Sequence, residues 1–164
     1  MKEKWQRQVR SDKKTDIKPT IDVNLHDAIY RLSYITRTPV KDVCEAICIY
    51  GMNSSVIRGN LALYFRRNIR INNTLYNGSL ERIQVNKRTS NGVCERISLR
   101  LSKNDHEVVK ALAYGLDCST SRACAMLLEQ GMTDFEFVDG YVRKHLEDSL
   151  DDKRLKELKK VMRY

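Results

Sequence analysis

Polar and apolar residues alternate strictly over Arg96-Ile97-Ser98-Leu99-Arg100-Leu101. That period of two predicts a short strand, with Ile97, Leu99 and Leu101 on a core face and Arg96, Ser98 and Arg100 on the other. Ser102 to Asp105 follows as a capping-box-like helix start, with Asp in place of the usual Glu. Val108, Val109, Leu112 and Leu116 then recur at helical spacing. Asp117-Cys118-Ser119-Thr120 interrupts the pattern, and Ser119 offers a second N-cap. Ala123, Met126, Leu127 and Gln130 carry a second helix to Gly131, which reads as its C-terminal stop.

The same unit occurs earlier in the chain. With a shift of 80 and no gap, Asp16–Met52 aligns with Arg96–Met132, and 8 of the 37 positions are identical. They include Asn24/Asn104, His26/His106, Tyr34/Tyr114, Cys44/Cys124 and Gly51/Gly131. This places a strand at Asp16–Ile21, with Asp22 capping a helix whose apolar face is Leu25, Ile29, Leu32 and Ile35. Pro19 removes one ladder donor, so the strand should be short or distorted. A rival register, Thr20–Leu25, alternates more cleanly, but the ungapped one is preferred. Thr38-Pro39 reads as N-cap and first residue of the second helix, which runs through Val43, Ala46, Ile47 and Tyr50 to Gly51. One strand with two bare edges and two short helices cannot hold a fold alone, so each copy needs the other.

Five segments result: a basic arm at 1–14, a first copy at 15–52, a helical linker packed on the body at 53–94, a second copy at 95–132 and C-terminal helices at 133–164. In the linker, Ser54 or Ser55 caps a helix over Val56, Ile57, Leu61, Tyr64 and Phe65, followed by a cluster of Arg66, Arg67 and Arg70. Asn72-Asn73, Asn77-Gly78 and Asn91-Gly92 read as turns. In the C-terminal segment, Phe135, Val138, Tyr141, Val142 and His145 predict one helix, and Ser149–Asp152 starts another with Leu155, Leu158 and Val161/Met162 as its stripe. The expected class is mainly α with a short two-stranded antiparallel β-ribbon.

Strand, helix, turn, helix with an alternating strand resembles the ribbon–helix–helix superfamily of DNA-binding proteins, best over Arg96–Met132 and fairly over Asp16–Met52. The resemblance implies a tandem, pseudo-dimeric arrangement: a monomer holding both halves, with chains lining up on DNA as family members do. It implies that the outward strand residues read base edges in the major groove. These are Arg96, Ser98 and Arg100 in the second copy, and Asp16, Lys18 and Thr20 in the first. Arginine pairs with guanine O6 and N7, whereas Asp16 fits poorly, since it repels phosphate and accepts only from a cytosine amine. It further implies phosphate anchoring at the start of the second helix: Ser119, Thr120, Ser121 and Arg122, with Thr38 and Lys41 in the first copy. For each of these residues a solvated face or a plain helix cap is the simpler alternative.

Composition supports a polyanion partner. Thirty Lys and Arg stand against 21 Asp and Glu, a net charge of +9. The arm Met1–Lys14 is itself basic and would add phosphate contacts. Seven glycines and two prolines disfavour a loop-rich sandwich. No apolar run reaches the roughly 18 residues of a membrane span, and no secretory signal is visible. The five cysteines lack a C-x-x-C pair, so neither a metal site nor a disulfide framework is expected, and the setting is a reducing cytoplasm. No catalytic motif or cofactor loop is present, so an enzyme is not expected. The function expected is double-stranded DNA binding, as a transcriptional repressor or as an accessory factor on plasmid or mobile DNA, in conjugative relaxosome or partition complexes. The alternative is an antitoxin-like module whose C-terminal helices hold a protein partner.

Overall fold

The computed structural model describes residues 13–85, 92–146 and 151–161. The arm expected at 1–14 lies almost wholly outside them, as do Asn91, Ser149 and Met162. The first copy comprises β1 (Thr15–Ile17), β2 (Thr20–Asp22), α1 (Val23–Thr36) and α2 (Val40–Asn53). The linker holds α3 (Ser55–Ala62) and the strands β3 (Ile69–Ile71) and β4 (Thr74–Tyr76). The second copy comprises β5 (Cys94–Arg96), β6 (Leu99–Leu101), α4 (Lys103–Leu116) and α5 (Thr120–Thr133), and the chain continues into α6 (Phe135–His145) and α7 (Asp152–Val161). The protein is mainly helical, with short two-stranded antiparallel sheets.

The shift of 80 holds at the level of elements. It maps both ends of α1 onto α4 and both ends of α2 onto α5, and it brings the first residue of α3 onto that of α6. The turns between the helices match as well. Arg37 and Asp117 both adopt the left-handed conformation, at φ 54°. The repeat therefore extends one helix beyond the unit seen in the sequence: Ser54 caps α3 by accepting from Ile57 N, and Asp134 caps α6 by accepting from Phe137 N. Identity fades in this third helix, so sequence likeness alone does not reach it.

The strands of the two copies pair with each other. β1 runs antiparallel to β6, with Ile17 opposite Leu99, and β2 runs antiparallel to β5, with Thr20 opposite Arg96. The two pairs are in one register and form a single ribbon interrupted at Lys18-Pro19, where Pro19 O still accepts from Ile97 N at 3.0 Å. The ungapped register is the one found: α1 begins at Val23 with Asp22 as its cap, which excludes a strand through Leu25.

Ile17, Ile21, Ile97, Leu99 and Leu101 turn inward from the ribbon onto the faces of α1, α2, α4 and α5. In the middle of this core α2 crosses α5, and here Gly51 and Gly131 differ from expectation. Neither stops a helix; both helices run two residues further. The glycines sit at the crossing, where a Cβ on Gly131 would stand 2.4 Å from Ile47 Cγ2 and one on Gly51 would stand 3.0 Å from Leu127 Cδ2. Ile47 and Leu127 are themselves repeat equivalents, so each helix sets its large residue against the other's glycine.

The linker also departs from the helical segment expected, since beyond α3 it carries a hairpin. α3 ends at Ala62, and the Arg82 guanidinium donates to the carbonyls of Ala62 (2.7 Å) and Phe65 (3.1 Å), groups a longer helix would have used. Ile69-Arg70-Ile71 then alternates buried, exposed, buried, and Asn72, at φ 53°, turns the chain into β4. Ile69 packs on Gly115 of α4, at the place where the first copy has Ile35. On the other side α7 packs on α1, with Arg31 bonded to Glu157 at 3.1 Å. The two first helices are thus covered by unrelated segments.

Candidate nucleic-acid interface

The ribbon's period of two has a direct consequence. Every odd position from Ile17 to Ile21 and from Ile97 to Leu101 is buried, and the even positions face away from the core. Asp16, Lys18, Thr20, Arg96 and Arg100 are exposed and Ser98 is half-exposed. Antiparallel pairing across the copies brings these six residues onto one face. Asp16 lies opposite Arg100 and Thr20 opposite Arg96, which leaves Lys18 opposite Ser98 at the centre. Lys18 and Ser98 are repeat equivalents, so the local twofold axis passes between them.

The sequence missed the electrostatics of this face. Asp16, the residue that fitted base reading poorly, accepts a hydrogen bond from Arg100 Nε at 2.8 Å. The two side chains are about half exposed, 57% and 53%. Arg96 and Lys18 have no ion-pair partner among the described residues. Cross-strand opposition could have suggested the Asp16–Arg100 pair, but only once the register between the copies was known.

The second-helix termini differ between copies. In α5, Ser119 accepts from Arg122 N at 3.1 Å as expected, and Ser119, Thr120 and Ser121 remain at least partly exposed. The Arg122 side chain does not stand free, because Nε donates to Val85 O of the linker at 2.9 Å. In α2 the N-cap is Pro39, not Thr38, and no side chain caps the helix. The Thr38 hydroxyl is engaged by Thr36 Oγ1 of α1 (2.7 Å) and by Tyr141 OH of α6 (3.2 Å). Lys41 is exposed on the first turn.

Arg66 and Arg67 converge on Asp117, at 3.2 and 3.0 Å, and Arg67 also lies 4.6 Å over the Tyr114 ring. Their charge is thereby spent on the turn between α4 and α5, while Arg70 stays exposed. The core thiols are shifted away from the thiolate form. Burial pushes Cys44 up to about 12, and Cys48 is raised by its hydrogen bond with Cys124 and by burial. Among the described residues no cluster of His, Cys, Asp or Glu could hold a metal ion, and no helix is long and apolar enough to cross a membrane. No family model, no curated protein and no solved structure matches this chain.

Proposed function

We propose that the protein binds double-stranded DNA in the manner of the ribbon–helix–helix superfamily, with both halves of the binding unit in one chain and the β1/β2–β5/β6 ribbon lying in the major groove. The observation that carries this reading is the ribbon itself. A two-stranded ribbon fits that groove. This one turns six polar side chains outward around a local twofold axis, and three of them are Lys18, Arg96 and Arg100. Guanidinium and ammonium groups match guanine O6 and N7, and Ser98 and Thr20 can donate or accept at several bases. The uncovered hydroxyls at the start of α5, and Lys41 on α2, suit flanking phosphates.

The two copies differ at all three equivalent reading positions, so the preferred site is asymmetric. The biological role consistent with this chemistry is repression, or an accessory role on plasmid or mobile DNA. The antitoxin-like alternative has less support, because Val138 and Val142 of α6 and Val161 of α7 are buried in the body. Selection from a random duplex pool at about 0.15 M salt tests the proposal. A recovered asymmetric consensus supports it. Uniform binding that fades with salt and yields no consensus overturns it.

A further inference from the structure

We infer that Asp16 is a specificity-determining residue, acting as the positioning partner of Arg100 at one end of the ribbon; the inference rests on the DNA-reading proposal above. A carboxylate on a surface that meets a polyanion opposes binding, so its presence there needs a return. The fold does not supply one. The Asp16–Arg100 pair is about half exposed, and exposed pairs add little to stability.

The geometry supplies the return instead. Asp16 Oδ1 takes the Nε–H of Arg100 at 2.8 Å. Arginine has five donors in a rigid fork, so an anchor at Nε leaves the terminal nitrogens for guanine O6 and N7. The anchor restricts the rotamers of a long side chain before binding. It also offsets the pull of neighbouring phosphates, which would otherwise draw the guanidinium onto the backbone at any sequence. The second carboxylate oxygen can accept from a cytosine amine.

The opposite end of the ribbon lacks this device. There Arg96 stands across from Thr20 with no carboxylate partner among the described residues. Asp16 and Arg96 are repeat equivalents, as are Thr20 and Arg100, so the same two positions carry a held arginine at one end and a free one at the other. The Arg100 end discriminates; the Arg96 end tolerates.

The test is duplex selection with the wild type, Asp16→Asn, Arg100→Ala and the double variant, alongside thermal melting. The wild type is expected to select guanine at the Arg100 end more strongly than any base at the Arg96 end. Asp16→Asn should melt with the wild type, bind random duplex more tightly and lose roughly tenfold in guanine preference at that one position. Asp16→Glu should restore part of the preference. The double variant should discriminate no worse than Arg100→Ala alone, because the two residues act as one unit. An Asp16→Asn profile with unchanged base preference, and all duplexes tightened equally, overturns the inference while leaving DNA reading intact. A wild type without any consensus overturns both.

Discussion

Gly51 and Gly131 lack a side chain where α2 and α5 come closest, and the two positions differ in how much room a methyl group would find. At Gly131 the added Cβ meets Ile47 Cγ2 at 2.4 Å, a distance that forces the branched side chain or the helix to move. Overpacking of this kind costs about 1–3 kcal/mol, more than the roughly 1 kcal/mol that alanine gains over glycine in a helix. Gly131→Ala is therefore expected to lower the urea midpoint with an unchanged slope. At Gly51 the contact is 3.0 Å, to the end of Leu127, and the two effects nearly cancel. A Gly131→Ala variant as stable as the wild type would show that the crossing relaxes freely.

The core thiols make a second prediction at this scale. Cys44 is pushed up to about 12 in the folded protein by burial and by Cys124. In the unfolded chain it ionises near the ordinary thiol value of about 8.5. Between those values the unfolded state has lost a proton that the folded state keeps, so stability is full below that range and falls as pH rises through it. Unfolding midpoints taken from pH 8 to pH 11 should decline, and the decline should shrink in Cys44→Ala. An equal decline in the variant would assign it to other groups.

At the scale of elements, caps decide where the third helix of each copy starts. Ser54 accepts from Ile57 N and its side chain also bonds Tyr50, whereas the Asp134 carboxylate accepts from both Phe137 N and the Tyr50 hydroxyl at 2.9 Å. A cap is worth about 1 kcal/mol, and the charge-assisted bond from the half-buried Tyr50 hydroxyl to the Asp134 carboxylate adds to the loss. Asp134→Ala should accordingly destabilise more than Ser54→Ala in parallel denaturation curves. Equal losses would mean that the Tyr50 bond contributes nothing. The ribbon is the other element whose ends matter, and there Arg100→Ala is expected to cost about 1–3 kcal/mol on the preferred duplex and far less on random duplex. Equal losses on both would reduce Arg100 to a phosphate contact.

At the scale of the whole molecule, the two copies share one ribbon and one helix crossing, so neither half owns a complete core. The chain should sediment at its own mass of 19.1 kDa, since the partner a single copy needs is already present. It should also unfold in one transition when followed by both far-ultraviolet dichroism and Trp-independent tyrosine fluorescence. Twice that mass at micromolar concentration, or two separated transitions, would contradict the shared core.

Much of this was legible from the residues. Strict alternation over Arg96–Leu101 and an ungapped repeat were enough for the strands, the four helices of the two copies and the outward set of ribbon residues, because period and capping are local properties of the chain. That α3 and α6 are equivalent third helices of the repeat was not legible, although each helix was, and of the β3–β4 hairpin only the turn at Asn72-Asn73 was. Identity has decayed between the two helices, and the strands of the hairpin are only three residues each. The glycines follow the same logic: a glycine near a helix end looks like a stop until the facing Ile47 or Leu127 is known.

What the chain determined by itself was therefore periodicity, caps and the existence of two copies. Only the tertiary structure decided which side chains meet: Asp16 with Arg100, Asp117 with Arg66 and Arg67, Thr38 with Tyr141 and Gly131 with Ile47. Each pair is separated by dozens of residues or more, and local pattern carries no information about such distances. That information comes from burying two incomplete apolar faces against each other, which sets the register of the ribbon and, with it, the charges that stand opposite across its outer face.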